Sequence, residues 1–232
     1  PENAVTKQYA ALLAIDNIRQ NRVLKIAAYH GFALSCRKDF LSGYRASYPQ
    51  SEIRYQEKNN HDIPEQLLYQ HADVAFMQAP IPETLTSVHL LHREPVHLVM
   101  DKRHPLALKG NVRLPELHSQ NLLLLDSMED FNTFILKQAV KKGVSCQVQD
   151  TTGINEFLHI LHGSSLVGFA SRRMFQYYSF PEVAFVPFAA SEYEKYPELT
   201  IETHLVTPAD ITPDETARQF IDYITQKTLL KG

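Results

Sequence analysis

The sequence predicts an α/β protein of two lobes, each a mostly parallel sheet flanked by helices. Two observations carry that reading. A β-α-β-α-β succession of short apolar runs and amphipathic segments occurs over residues 23–77, and the same succession returns over 121–170. Long extended stretches near 95–104 and 199–206, with no low-complexity linker, join the two copies, so the chain is expected to cross between lobes twice. Parallel neighbours need crossover connections, and the alternation of strand and helix supplies them.

Taken in order, Ala4, Val5, Tyr9, Leu12, Leu13, Ile15 and Ile18 repeat three and four apart, which predicts an amphipathic helix over 4–20. Val23 to Ala28 reads as a strand. Leu34, Phe40, Leu41, Tyr44 and Tyr48 then mark a helix that stops at Pro49. Ile53 and Tyr55 alternate with Arg54 and Gln56, a strand with one wet face. Asp62-Ile63-Pro64-Glu65 has the spacing of a capping box with Pro in the first turn, so a helix over about 63–70 follows. Asp73–Met77 is the third strand. In the second copy, Leu122–Leu125, Cys146–Val148 and Leu166–Ala170 are strands, and Phe131–Val140 and Ile154–Leu161 are helices. Val183–Val186 and Leu199–Val206 are extended. The last helix is expected to use Thr212 as N-cap, Pro213 at its first position and Glu215 two residues later, with Ala217, Phe220, Ile221 and Ile224 on one face.

Composition narrows the function classes. The 232 residues are 44% hydrophobic and 21% charged, an ordinary globular balance that excludes disorder and fibrous repeats. A net charge of −3 gives no basic footprint for DNA or RNA on these residues. No apolar run approaches the roughly 18 residues of a membrane span. Cys36 and Cys146 stand far apart with no CxxC or Cys/His metal spacing, which points to a reducing compartment rather than a disulfide framework. Pro1-Glu2-Asn3 carries neither an initiator Met nor a signal peptide and reads as a cut from a longer protein.

Three landmarks in fixed order raise a family resemblance. The Leu24–Ala27 strand precedes a helix ending Tyr44-Arg45-Ala46-Ser47-Tyr48-Pro49. Asp73–Phe76 is followed by Glu94–Arg103 and the tetrapeptide His104-Pro105-Leu106-Ala107. Val112–Leu117 precedes the Leu122–Leu125 strand, and Leu166–Ala170 follows a helix. Over residues 22–228 the chain resembles the effector-binding region of LysR-type transcriptional regulators. Ser171-Arg172-Arg173 followed by Tyr177-Tyr178 resembles the nodulation-regulator branch. The resemblance implies a type 2 periplasmic-binding-protein-like fold with one lobe from 22–96 plus 200–232 and another from 97–199. It further implies that 1–21 is a remnant of a linker helix and that a DNA-binding winged helix-turn-helix domain is absent from this stretch. A cytoplasmic homodimer or homotetramer follows by the same analogy, paired through the helix over 34–48 and the strand over 52–57, with DNA reached only through the missing domain.

By family position, four segments are expected to line a small-molecule effector cleft between the lobes. Tyr29, His30, Gly31 and Phe32 follow the first strand at a helix start, where free N–H groups attract anions. Met100 and Asp101 lie on the first crossing. Asp126 and Ser127 follow the second lobe's first strand, and Thr151 and Thr152 open the helix at 154. Hydroxyls and helix starts suit an oxyanion. Asp101, Asp126, Tyr29 and Phe32 would equally suit an amine or an aromatic group, so the charge preference stays open. Ser127, Thr151 and Thr152 are also residue types that cap their own helices with no ligand role.

Other chemistry finds less support. His89, His92, His97 and His104 crowd sixteen positions, yet odd spacings along an extended chain point to opposite faces, and no HExxH occurs, so no metal site is expected. No cofactor is expected, since neither a phosphate loop nor GxGxxG is present. Gly163-Ser164-Ser165 is not a nucleophile elbow, and an enzyme is not expected. The remaining alternative is a transporter's solute-binding protein of the same fold.

Overall fold

The computed structural model describes residues 23–35, 40–118, 120–141, 148–151, 153–175 and 180–226. The expected helix over 4–20, Cys36, Cys146, Thr152 and Tyr177-Tyr178 lie outside these. Contacts divide the chain into two units: the residues up to Leu91 with those from His204 onward, and His92–Thr203.

In the first unit, β1 (Leu24–Tyr29) is the central parallel strand, paired with β2 (Ile53–Lys58) on one side and β3 (Val74–Gln78) on the other. Its sequence, Leu-Lys-Ile-Ala-Ala-Tyr, is buried on both faces, as a strand with helices above and below requires. β2 is the edge strand, and its alternation of Ile53 and Tyr55 with exposed Arg54 is the pattern that the sequence predicts. The order continues from β3 to β9 (Thr200–Pro208) and β4 (Leu85–Asp101). Around this sheet lie α1 (Phe32–Ser35), α2 (Phe40–Ser47) and α3 (Ile63–Leu68).

In the second unit, β4 pairs antiparallel with β7 (Leu166–Ser171) and with β8 (Val183–Pro187). Next to β7 comes β5 (Asn121–Leu125), then β6 (Val148–Thr151), both parallel. α4 (Glu129–Lys141) and α5 (Ile154–Leu161) connect the parallel strands, and α6 (Ala190–Lys195) precedes β9. β4 is 17 residues long and begins at Leu85, well before the extended stretch expected near 95–104. It contributes Leu85 to the first core and Val96, Leu98, Val99 and Met100 to the second.

The first unit is completed by α7 (Glu215–Gln226), which buries Ala217, Phe220, Tyr223 and Ile224. Those positions lie three, four and seven apart, on one stripe of a helix. Phe220 meets Tyr44 edge-on at 5.1 Å, and Phe32 stacks on Phe76 at 4.1 Å.

Two expected caps form differently. Asp62 does not cap α3 with its side chain, because a 3-10 turn over Asn60–Asp62 has already placed its backbone in the helical region. An N-cap acceptor needs the extended backbone instead. α7 starts two residues later than Thr212 would require: the Asp214 carboxylate accepts from the Ala217 N–H at 2.9 Å, and the Arg218 N–H bonds the Asp214 carbonyl. A carboxylate caps and also meets the positive end of the helix.

Candidate functional site

Parallel sheets bind ligands beyond the carboxyl ends of their strands. In the first unit those ends are Tyr29, Lys58 and Gln78. Gly31 turns the chain after β1 with φ +86°, a conformation that favours glycine. The N–H groups of Gly31 and Ala33 then point together, but onto the Glu57 carboxylate, each at 3.1 Å. Tyr55 Oη donates to the same carboxylate at 2.8 Å, and exposed His30 approaches it at 3.9 Å. The loop that the sequence marks as an anion attractor is therefore already satisfied by a carboxylate of the neighbouring strand. Tyr29 and Phe32 turn their rings into the core against each other, Phe40 and Phe76. Asn60 reads the end of β3 from the side: its amide donates to the Gln78 carbonyl and accepts from the Gln78 N–H.

In the second unit, Leu125 of β5 lies opposite Thr151 of β6. The fold thus brings Asp126 and Ser127 beside Thr151. Asp126 is exposed and Ser127 half-buried in a 3-10 turn leading into α4. Thr151 is buried, and its hydroxyl donates to Glu156 at 2.6 Å. It does not cap α5, whose N-cap is Gly153. With its proton committed to Glu156, Thr151 offers a ligand only acceptor lone pairs.

On β4, Met100 is enclosed in the core between β7 and β8. Asp101 is 2% exposed, and its carboxylate accepts from the Arg103 backbone and guanidinium at 2.9–3.0 Å and from the Gly163 N–H at 2.7 Å. Gly163 holds φ +73°, which aims that N–H. The hydrogen bonds from Arg103 hold the Asp101 carboxyl well below the usual carboxylate range. Asp101 is thus saturated by its own turn and by the turn that follows α5. The His104-Pro105-Leu106-Ala107 tetrapeptide is also structural: His104 Nδ1 accepts from the Leu106 N–H and caps a 3-10 turn, and Leu106 is buried. Burial lowers the pKa of His104 and of His97.

Sequence reasoning missed Glu57 and Glu156, the two carboxylates that occupy the expected oxyanion positions. Glu57 lies on the Ile53 and Tyr55 face of β2, and Glu156 is the third residue of α5; neither position names its target without the strand register. A pocket of about 230 Å³ opens at the other end of the first unit, lined by Lys25, Gln70, Asp73, Ile211, Pro213 and Ala217 among others. Its polar groups are engaged internally: Lys25 Nζ donates to the Gln70 carbonyl and Asp73 accepts from the Lys25 N–H. No helix among the described residues is long and apolar enough to cross a membrane, and no three His, Cys, Asp or Glu among them form a metal cluster.

Known proteins share this fold. Full-length OxyR from Pseudomonas aeruginosa superimposes with a TM-score of 0.76 at 18% identity, covering 96% of this chain and 76% of that one. HinK, a LysR family transcriptional regulator from the same organism, gives 0.68 at 17%, covering 97% and 80%. The BenM effector-binding domain, solved with its effector benzoate, gives 0.70 at 15%, covering 88% and 90%. At such identities these matches establish the fold, which is the type 2 periplasmic-binding-protein-like one. The model of the LysR substrate binding domain matches residues 18–228. With nearly the whole chain inside that match, the protein belongs to the LysR substrate-binding-domain family.

Proposed function

We propose that this chain is the effector-sensing and oligomerising part of a cytoplasmic LysR-type transcriptional regulator, whose DNA contacts are made by a separate domain. The observation that carries it is the family match over residues 18–228. A net charge of −3 agrees with the absence of a nucleic-acid surface on these residues. The family also favours a regulator over a transporter's solute-binding protein.

The effector sits at the strand carboxyl ends. Thr151, which lies opposite Leu125 in the β5–β6 register, and Ser127, two residues beyond Leu125, supply its polar contacts in the second unit, with Asp126 between Leu125 and Ser127. In the first unit His30 and the Gly31 backbone follow the carboxyl end of β1. Tyr29, Phe32, Met100 and Asp101 support these segments from behind, their side chains being committed to the core or, for Asp101, to Arg103 and Gly163. Effector binding shifts the regulator between states only by its differential affinity for them.

Thermal unfolding against a panel of carboxylates, amines, amino acids and neutral aromatics tests the reading. A ligand at a hundred times its dissociation constant adds about 2.7 kcal/mol. Ser127→Ala and Thr151→Val are expected to weaken the hit, while a panel with no hit would remove the sensor function. Pairing of two copies along the edge strand β2 and α2 is tested by sedimentation, where a persistent monomer would overturn it.

A further inference from the structure

We propose that the effector carries an oxyanion group, a carboxylate or phosphate, and that Arg172 and Arg173, backed by His92, hold it at the carboxyl end of β7. This rests on the effector-sensing reading above and adds the charge that the sequence leaves open.

The register assembles the cluster. β7 ends at Ser171, opposite Val96 of the antiparallel β4, so the residues following β7 run alongside those preceding Val96. Arg173 Nε lies 3.2 Å from Glu94 Oε1. His92 Nε2 lies 2.5 Å from the same oxygen, close but not aligned as a hydrogen bond. Arg172 adds a second guanidinium, 6.0 Å over the Phe185 ring of β8. Arg173 and the His92 imidazole thus share one carboxylate, while the neighbouring residue in the chain, Arg172, carries its guanidinium over Phe185.

The burial of these groups is the telling part. The His92 side chain is 6% exposed and that of Glu94 is 9%. His92 Nδ1 is buried and has no partner among the described residues. An unpartnered buried polar atom gives up its hydration with nothing in return, so native structures rarely keep one without a use. Arg173, 19% exposed, uses Nε on Glu94, and no contact among the described residues engages its Nη groups. A purely structural ion pair between β4 and β7 accounts for Nε and Glu94. It leaves the Nη fork and His92 Nδ1 unexplained. Planar guanidinium forks match carboxylate and phosphate oxygens.

The other places where an oxyanion would be sought are taken. The Gly31 and Ala33 N–H groups hold Glu57, and the Thr151 proton is given to Glu156. Among the described residues of the second unit, the cationic donors at the carboxyl ends of the parallel strands are the guanidiniums that follow β7.

Calorimetric titration of the chain with matched probes tests this: benzoate against benzamide, acetate against acetamide, and inorganic phosphate against methylammonium. An anion is expected to bind at least roughly tenfold tighter than its neutral or cationic counterpart, with Arg172→Gln weakening it by about as much again. Because Arg173→Gln alone would strand Glu94, the paired variant Glu94→Gln with Arg173→Gln is used; it is expected to keep the fold and lose the anion. If an amide or methylammonium binds as tightly and Arg172→Gln leaves its affinity unchanged, the oxyanion proposal fails while the sensor reading stands. If no probe of either charge binds, both fail.

Discussion

Gly168 sits in the middle of β7, where a β-carbon would stand 2.3 Å from Phe157 Cζ and 3.4 Å from the Leu123 carbonyl. The ring of α5 rests directly on the strand there, so Gly168→Ala is expected to cost about 1–3 kcal/mol by forcing Phe157 aside; urea unfolding measures it. Charge at single residues sets the pH response. Asp101 has a folded pKa held below its unfolded value near 3.8, so its stabilisation is complete above that value and fades as pH falls below it. Asp101→Asn is therefore expected to lower Tm at pH 7 and to close the gap to wild type in strong acid. His97 and His104 behave with the same slope at higher pH. Their folded pKa values are lowered by burial, so the stability they add is present above about 6.5 and is lost as pH falls through their folded values. Tm should rise from pH 5 to pH 7, and His97→Gln with His104→Gln should flatten that rise. At this scale the sequence was only half legible. Tyr29, Phe32 and Met100 fall in the segments expected to line a ligand, but which side of a strand or turn faces a core depends on partners that spacing does not name. Asp101 looked available because its donors, Arg103 aside, come from Gly163, 62 residues away.

Elements were easier to read than residues. β1, β5 and β7 are short continuous apolar runs because both faces of a central parallel strand are covered, and the edge strand β2 alternates because one of its faces is wet. α5 falls on the expected residues, Ile154–Leu161. Starts were harder, since Thr212-Pro213 and Asp214 each satisfy the rules for a cap, and only the hydrogen bond to Ala217 separates them. Asp214→Ala is expected to cost about 1 kcal/mol and Thr212→Ala close to nothing; chemical denaturation of the two variants distinguishes the caps. The sequence predicts β4 short because, after buried Leu85, its first half through Arg93 mixes exposed and half-buried positions without a regular period. Its pairing is tertiary and leaves little local trace.

At the scale of the whole molecule, the cores are separate clusters, one containing Phe76 and the other Leu123. Phe76→Ala and Leu123→Ala should each cost about 2–5 kcal/mol, and their double variant should cost the sum within about 0.5 kcal/mol, because the side chains share no packing partner. Equilibrium unfolding of the three variants checks the additivity. The path of the chain through these cores has a temporal consequence. Everything from His92 to Thr203 is one uninterrupted segment, whereas the other unit waits for Leu205, Val206, Phe220, Tyr223 and Ile224. During synthesis from the N-terminus, β1, β2 and β3 emerge first but lack the strand and helix that cover them. The unit that is made first is thus finished last. Until α7 leaves the ribosome, Phe76 and Tyr44 remain without Phe220, and a nascent chain stalled before residue 215 should show a protease-resistant second unit beside a cleavable first one.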